Sequence, residues 1–300
     1  MAKNRSVGSI ILKVVLGIVI TVAVLLIGGY CLLRFAFGVD LIDLYNQIKL
    51  LSKPVVETEI VTYPYEKSDS MVDDLNTLIN NSFSATNIVS KDENGKIIID
   101  DEQLSNASMT ANFQLTDKQL ACFVNASFDE YTADGTVTSE LLKGMELLQI
   151  KFSDLQKTDV DNFSVKINSV IKVDLAYIKS QLVAFPLSII NGLIPQNMYV
   201  DVTITLTKNQ TGFHYEKTGG TIKINALTEE ESSKLINTLN SIIGIGTSEE
   251  FAKSIGGTIV DMFIGNDEVG GFSNTFNQAT NFTFIETSGQ ISYVLICTLP

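Results

Sequence analysis

Three short patterns in this chain contain residue types that could carry out chemistry. His214 is the one histidine in the sequence, so a serine triad would have to use it. It lies between Phe213 and Tyr215 in a strand-like stretch, and no serine or aspartate motif accompanies it. The pattern therefore favours a surface or structural histidine over a catalytic one.

The second pattern is a Ser-x-x-Lys spacing formed by Ser169 and Lys172. Serine acyl-enzymes place this spacing at the start of a helix and add companion motifs downstream. In this chain it falls in strand-like alternation, where an odd spacing puts the two side chains on opposite faces. We therefore interpret the spacing as coincidence.

The third pattern is a pair of acidic turns. Asp159 to Asn162 reads Asp-Val-Asp-Asn, like the start of a calcium loop, but the glycine at position six and the glutamate at position twelve are missing. Gly265 to Glu268 is a second acidic turn. We interpret both as solvated turns, so the sequence predicts no catalytic, cofactor-binding or metal-binding residue.

The elements that position these residues begin with an apolar run near the N-terminus. Val14 to Leu33 is twenty residues without a charge, and a helix needs about 20 apolar residues to cross a bilayer core. Basic residues precede the run and Asp40 and Asp43 follow it. The positive-inside rule then predicts a cytoplasmic basic tail at 1–13 and a single transmembrane helix at 14–34, with the rest extracytoplasmic. A cleaved signal peptide fits less well, because its apolar region is shorter.

The predicted extracytoplasmic part is strongly acidic. Four of the 21 basic residues flank the apolar run (Lys3, Arg5, Lys13 and Arg34), leaving 17 basic against 34 acidic residues and a formal charge of −17. Such a surface repels nucleic acid, and no basic stripe with interleaved aromatic residues offsets it. The composition therefore excludes a nucleic-acid partner. A protein or a lipid at the outer membrane surface remains the expected partner.

Beyond the anchor, the periodicity predicts one mixed domain. Residues 35–54 show helical spacing that Pro54 ends, which indicates a juxtamembrane helical stalk. Residues 55–300 mix strand and helix patterns without a strict βαβ order. The sequence therefore predicts an α+β domain with a mainly antiparallel sheet packed by helices.

Local patterns predict the elements of this domain. Extended or strand segments are predicted at 55–65, 96–99, 107–115, 149–152, 163–173, 198–206, 213–216, 221–224, 281–285 and 291–299. Helices are predicted from Ser70, over 117–128, 176–185 and 229–243, and from Thr247 to about 263. Thr116 and Thr228 each begin a capping box, in which the threonine and a Gln or Glu three residues later exchange hydrogen bonds.

Two questions about the predicted domain stay open at this point. Cys122 and Cys297 both fall outside the membrane, so one disulfide is compatible with the sequence but is not required by it. The apolar faces of the helices at 228–243 and 248–263 could form a sealed core or a groove for an acyl chain. A sealed core goes with an interaction module and a groove with a lipid carrier. A hydrolase of unrecognised type is the further alternative.

Three stretches carry a resemblance to a known group of proteins: FQLTDKQLACFVN (Phe113 to Asn125), LIPQNMYVDVTITL (Leu193 to Leu206) and INALTEEE (Ile224 to Glu231). Together with the short basic N-terminus and the single anchor, they make the chain similar to uncharacterised single-pass envelope proteins of low-GC Gram-positive bacteria and their wall-less relatives, the YpmS-like kind. The resemblance implies a bacterial envelope setting and transfers no catalytic residues. We therefore expect a membrane-anchored extracytoplasmic binding or interaction module without catalysis.

Overall fold

The computed structural model describes residues 46, 49–93, 95, 97–129, 144–181, 195–243, 246–265, 276 and 278–297. In these ranges helices and antiparallel strands are mixed, which confirms the predicted α+β class with mainly antiparallel sheets. The predicted tail, the predicted transmembrane helix and most of the predicted stalk lie outside the described residues. Within the described part of the chain, no helix is both long enough and apolar enough to cross a membrane.

The elements follow one another along the chain in a fixed order. They are α1 (Glu57–Ile60), α2 (Asp69–Ser82), β1 (Val89–Lys91), β2 (Ile97–Ile99), α3 (Asp101–Asn106), β3 (Phe113–Thr116), α4 (Asp117–Asp129), β4 (Met145–Lys157), β5 (Phe163–Asp174), α5 (Ala176–Gln181), β6 (Asn197–Lys208), β7 (Glu216–Ile224), α6 (Glu229–Ile243), α7 (Ser248–Ile264), β8 (Ala279–Thr287) and β9 (Gln290–Cys297). The strands β1 and β2 form a small separate hairpin.

The largest sheet has four strands in the order β4–β5–β6–β7, and each neighbouring pair is antiparallel. Along β6 the buried residues Val202 and Ile204 lie on one face, as the sequence alternation predicts. Asp201 and Thr203 lie on the opposite face and are half-buried. We call the apolar side the inner face of this sheet and the opposite side its outer face.

Helix α7 packs closely against the inner face because Gly256 has no side chain. A Cβ atom at this position would lie 2.7 Å from Cγ2 of Ile204 and 3.1 Å from Cγ1 of Val202. The residues that the sequence places on the inward side of α6 and α7 are buried where the structure describes them: Leu235, Ile236, Phe251, Ile255, Ile259, Met262 and Phe263. They belong to one continuous apolar cluster. These helix faces therefore fill a core.

The second sheet, in the order β3–β9–β8, joins the first through aromatic side chains. The ring centroids of Phe152 and Phe284 are 4.9 Å apart, and those of Phe163 and Phe284 are 5.5 Å apart. The ring centroids of Tyr293 on β9 and Phe263 on α7 are 5.4 Å apart, in an edge-to-face arrangement. Both sheets and α7 therefore share one core.

Two lysines cross from the large sheet to the edge strand β8. Lys208 donates a hydrogen bond to the carbonyl oxygen of Phe282 (3.0 Å), and Lys157 donates to that of Phe284 (2.8 Å). The side chain of Lys208 has no exposed surface. An edge strand presents main-chain groups without a strand partner, and these two ammonium groups satisfy two of them.

The two predicted capping boxes are formed, and a third occurs at the start of α7. The backbone N–H of Thr116 donates to Gln119 (2.9 Å), and that of Thr228 donates to Glu231 (2.8 Å). Thr247 makes the same exchange with Glu250 at the start of α7. The helix predicted from Ser70 starts one residue earlier, at Asp69, since the hydroxyl of Ser68 accepts from the N–H of Met71. Local side-chain chemistry therefore sets these helix starts.

Three element predictions are wrong. The segment 55–65, predicted as extended, contains the helical turn α1, which its contacts to the sheet hold in place. In the stretch 107–115 only the part from Phe113 is a strand, because Phe113 to Thr116 pair with β9. The strands predicted at 213–216 and 221–224 are one strand from Glu216, because Gly219 (φ +64°) and a register shift let the pairing continue.

Candidate functional site

The structure keeps apart the residues that the sequence singled out for their chemistry. His214 is exposed beside a cavity of about 300 Å³. Ser169 is buried on the inner face, opposite Val202, whereas Lys172 lies on the outer face and donates to Glu57 (3.0 Å). The prediction that the Ser-x-x-Lys pair points to opposite faces is confirmed.

The carboxylates of the acidic turn at Asp159 lie at the surface and accept hydrogen bonds from groups of the same chain. Asp159 accepts hydrogen bonds from the N–H of Asp161 (2.8 Å) and from the side chain of Asn162 (2.9 Å). Asp161 accepts from the ammonium of Lys208 (3.0 Å). No cluster of three metal-ligating side chains occurs in the described ranges. In the second acidic turn, the stretch 266–268 lies outside them.

Cys122 and Cys297 are both free thiols, so the structure contains no disulfide between them. Burial raises the pKa of the Cys122 thiol to about 12. Such a thiol is protonated at neutral pH and behaves as a small apolar group in the core.

The outer face of the four-stranded sheet carries a polar cavity that the sequence analysis did not identify. Its volume is about 470 Å³, within the usual range of ligand pockets. Its lining comes from all four strands of the sheet and from the chain around α1: Glu59, Ile60, Thr62, Gln149, Lys151, Ser153, Asn168, Asp201, Thr203, Lys223 and Asn225. We call this cavity the polar groove.

Strand register places the central polar side chains of the groove in two neighbouring rows. Asp201 on β6 lies opposite Lys223 on β7. Two residues further along β6, Thr203 lies opposite Asn168 on β5, which in turn lies opposite Lys151 on β4. Cross-strand neighbours on one face have Cβ atoms about 5 Å apart. Residues distant in sequence therefore meet in one patch.

A directed chain of hydrogen bonds runs across these rows. The backbone N–H of Tyr63 donates to the side-chain oxygen of Gln149 (2.7 Å), and the Gln149 amide donates to the side-chain oxygen of Asn168 (2.6 Å). The Asn168 amide then donates to Asp201 (2.5 Å) and to the hydroxyl of Thr203 (3.0 Å). The chain fixes the orientation of Asn168 and ends on one carboxylate and one hydroxyl.

The carboxyl group of Asp201 is electrostatically unusual. Burial raises its pKa above the ordinary aspartate value, although the hydrogen bond from Asn168 and the positive charge of Lys223 act in the other direction. Within the described residues, Asp201 forms no salt bridge. A half-buried carboxylate with a raised pKa, lining a cavity, makes Asp201 a candidate functional residue.

One wall of the groove belongs to a segment that crosses the outer face, residues 55–67, which we call the strap. Val61 of the strap packs with Leu148, Val170 and Tyr199 in a small apolar cluster on this face. The backbone N–H of Tyr65 donates to the carbonyl oxygen of Leu148 (3.3 Å). The strap is therefore packed onto the sheet.

An ion pair fixes the helical turn α1 of the strap. Glu57 accepts hydrogen bonds from the ammonium of Lys172 and from the hydroxyl of Tyr199, both at 3.0 Å. Burial raises the pKa of the Glu57 carboxyl, but these two hydrogen bonds together with the positive charges of Lys172 and Lys67 leave the pKa below its ordinary value. Glu57 is therefore held in its charged form against the sheet.

Asn225 connects the groove to the end of the predicted stalk. Its side-chain amide donates to the carbonyl oxygen of Leu51 (3.0 Å), and its side-chain oxygen accepts from the N–H of Tyr199 (2.7 Å). The backbone of Asn225 has φ +51°, a conformation that asparagine tolerates better than most residues. Leu51 is buried, so this end of the predicted stalk is docked onto the domain.

The sequence contains one signal for this site. Asparagine is depleted in strand interiors, yet Asn168 stands in the middle of β5. The polar residues of β6 alternate with apolar ones in the pattern of an ordinary solvated face, so this alternation does not indicate a binding site.

No protein family, curated protein or solved structure matches the chain.

Proposed function

We propose that this protein is a membrane-anchored extracytoplasmic binding module whose ligand site is the polar groove. The observation that carries the proposal is the directed hydrogen-bond chain from Tyr63 to Asp201 and Thr203 in a cavity of about 470 Å³. A chain of this kind holds its last groups in position before a ligand arrives, which reduces the entropy lost on binding.

The placement of the module follows from the sequence. The apolar run 14–34 with its basic N-terminal flank predicts a single-pass anchor with a cytoplasmic N-terminus, and the resemblance to YpmS-like envelope proteins agrees with this setting. Anchoring raises the effective concentration of the groove towards any other molecule held at the same membrane. A modest affinity in the groove would then be sufficient.

Two alternative functions make different demands on the structure. A lipid carrier needs an apolar cavity, whereas the described apolar side chains of α6 and α7 are packed into the core. A hydrolase that uses carboxylates would place two of them around the reacting bond. The groove lining contains Asp201 on the sheet and Glu59 on the strap. A binding module returns its ligand unchanged, and a hydrolase does not.

The test uses the full-length protein in lipid nanodiscs and fractions of a small-molecule extract of the cell envelope. We expect at least one fraction to raise the melting temperature of the wild type, since a ligand at 100 times its Kd stabilises a protein by about 2.7 kcal/mol. The variant Asn168→Ala removes the centre of the hydrogen-bond chain and is expected to lose this response. Thr207→Val, on the outer face of the neighbouring strand β6 and outside the groove lining, is the control.

The proposal fails if no fraction stabilises the wild type, or if Asn168→Ala responds as the wild type does. Mass spectrometry of the stabilising fraction before and after incubation separates binding from hydrolysis. An unchanged ligand mass supports the binding module, and a product mass supports the hydrolase.

A further inference from the structure

The charged residues of the polar groove balance one another. Glu59 and Asp201 contribute two carboxylates, and Lys151 and Lys223 contribute two ammonium groups. Lys151 lies on β4 and Lys223 on β7, the two edge strands of the sheet, and Asp201 lies between them on β6. A ligand with a net charge would meet its own sign on part of this lining. The distribution therefore suits an uncharged ligand.

The groups at the end of the hydrogen-bond chain define what such a ligand must offer. Asp201 is an acceptor. The Thr203 hydroxyl already accepts a hydrogen bond from Asn168, so its own hydrogen is available for donation outward. The two ammonium groups add donors at the sides of the groove. A ligand that satisfies this set must present many groups that both donate and accept, which is the property of hydroxyl groups.

From this we infer that the polar groove binds a neutral, hydroxyl-rich ligand of the oligosaccharide class, with its hydroxyls donating to Asp201 and accepting from Thr203. The inference rests on the proposed function and narrows it. The same sugar hydroxyls occur in free oligosaccharides and in the headgroups of neutral glycolipids, so the chemistry is shared and the source is left to the experiment.

The experiment measures binding to the full-length protein in phosphatidylcholine nanodiscs by calorimetry. The neutral probes are di- to tetrasaccharides of glucose, galactose and N-acetylglucosamine, and the charged probes are inorganic phosphate, spermidine and an acidic tetrapeptide. We expect neutral saccharides to bind and charged probes to fail. Asp201→Asn and Thr203→Val should each weaken saccharide binding about tenfold or more, because the first replaces a charged acceptor with a weaker neutral one and the second removes the hydroxyl that donates to the ligand. Thr207→Val should bind as the wild type does.

A second arm distinguishes the two sources of the sugar. Vesicles that contain a diglucosyl-diacylglycerol are compared with vesicles of phosphatidylcholine alone. If the glycolipid vesicles bind more tightly than the free disaccharide and the same variants weaken both, the ligand is the headgroup of a membrane lipid. If the free sugar binds as tightly, the ligand is a soluble or wall-derived saccharide. Either result supports the inference.

Three results would overturn the inference. One is binding of charged probes alone, with loss in the Asp201 and Thr203 variants, which rejects the sugar class and leaves the groove as the binding site. Another is saccharide binding that both variants leave unchanged. The third is no binding by any neutral saccharide. The proposed function fails separately, when envelope fractions stabilise the wild type and Asn168→Ala equally or not at all.

Discussion

Two charged side chains that are shielded from water, Lys208 and Asp201, differ in how their charges are compensated. Lys208 is fully buried, and its ammonium is matched by the carboxylate of Asp161 at 3.0 Å and by the carbonyl oxygen of Phe282. Burial lowers the pKa of the Lys208 ammonium, and the neighbouring Asp161 acts in the other direction. Asp201 in the groove is only half-buried but has no salt bridge among the described residues. The first group is paired within the fold, whereas the second lies in the proposed ligand site.

The partner of the buried lysine should matter for stability. Asp161→Asn keeps the shape of the side chain but leaves the Lys208 ammonium without a negative charge. We expect a loss of about 2 kcal/mol in the free energy of unfolding, below the usual effect of breaking a buried pair because Asp161 is partly exposed. Urea unfolding of the full-length protein in nanodiscs measures it.

The matched control for this substitution is Asp154→Asn. Asp154 forms an ion pair with Lys166 in which both side chains are exposed, and asparagine tolerates its positive φ equally well. Exposed pairs contribute little, so we expect a change within about 0.5 kcal/mol. Equal effects of the two substitutions would contradict the role given to Lys208.

The raised pKa of the Asp201 carboxyl predicts a gain in stability when the charge is removed. The folded state holds this proton more tightly than the unfolded chain does, so the contribution of this carboxyl to stability is fully present below the unfolded-state pKa and is lost as the pH rises through the folded-state pKa. Asp201→Asn cannot ionise and should be more stable than the wild type near pH 7.

The pH dependence separates this effect from a general change in packing. The difference between Asp201→Asn and the wild type should shrink as the pH falls towards about 3.9, the ordinary aspartate value. Melting curves at several pH values measure it. A difference that stays constant with pH would contradict the assignment. Residues at functional sites often reduce the stability of the folded protein, and the effect predicted for Asp201 in the groove is of this kind.

Among the elements, α7 shows how one missing side chain sets the distance between layers. Gly256→Ala would place a Cβ atom 2.7 Å from Cγ2 of Ile204, and the helix would have to move off β6. We expect a loss of about 1–3 kcal/mol, the usual effect of overpacking, despite the better helix propensity of alanine. Thermal unfolding of the purified full-length protein measures it.

The neighbouring glycine gives a control in the same helix. The three atoms nearest to a Cβ atom at Gly257 all belong to the Lys217 side chain, with Cδ at 3.0 Å, so a side chain that pairs with Asp261, and not the sheet, would have to shift. Gly257→Ala should therefore leave stability unchanged or raise it by up to about 1 kcal/mol. If both alanine substitutions destabilise equally, close packing of α7 on β6 is not the reason for Gly256.

The elements also show which structural features a sequence can predict. The capping boxes at Thr116 and Thr228 and the alternation in β6 are local patterns, and they are confirmed. The polar groove depends on register: Asn168 meets Thr203 only because β5 and β6 pair with that offset. No local pattern encodes this offset. The same limit applies to α1, because its Glu57 is held by Lys172, which lies on the distant strand β5.

At the scale of the whole molecule, the groove is connected to the C-terminal part of the predicted stalk. Leu51, a buried residue near the end of the predicted stalk at 35–54, accepts a hydrogen bond at its carbonyl oxygen from the side-chain amide of Asn225, which lines the groove. The strap then crosses the outer face and supplies one groove wall. This arrangement places the groove beside the described end of the predicted stalk, residues 49–54.

An experiment can decide the predicted orientation of the protein in the membrane directly. In the full-length chain with its three cysteines replaced by alanine, a new cysteine is introduced either at Val160, which is 40% exposed in a loop of the domain, or at Asn4 in the predicted cytoplasmic tail. A membrane-impermeant maleimide applied to intact cells should label Val160→Cys fully and Asn4→Cys only after permeabilisation. Such a result follows from the basic flank of the apolar run and the acidic charge of the part beyond it. Labelling of Asn4→Cys alone in intact cells would reverse the orientation and place the polar groove in the cytoplasm.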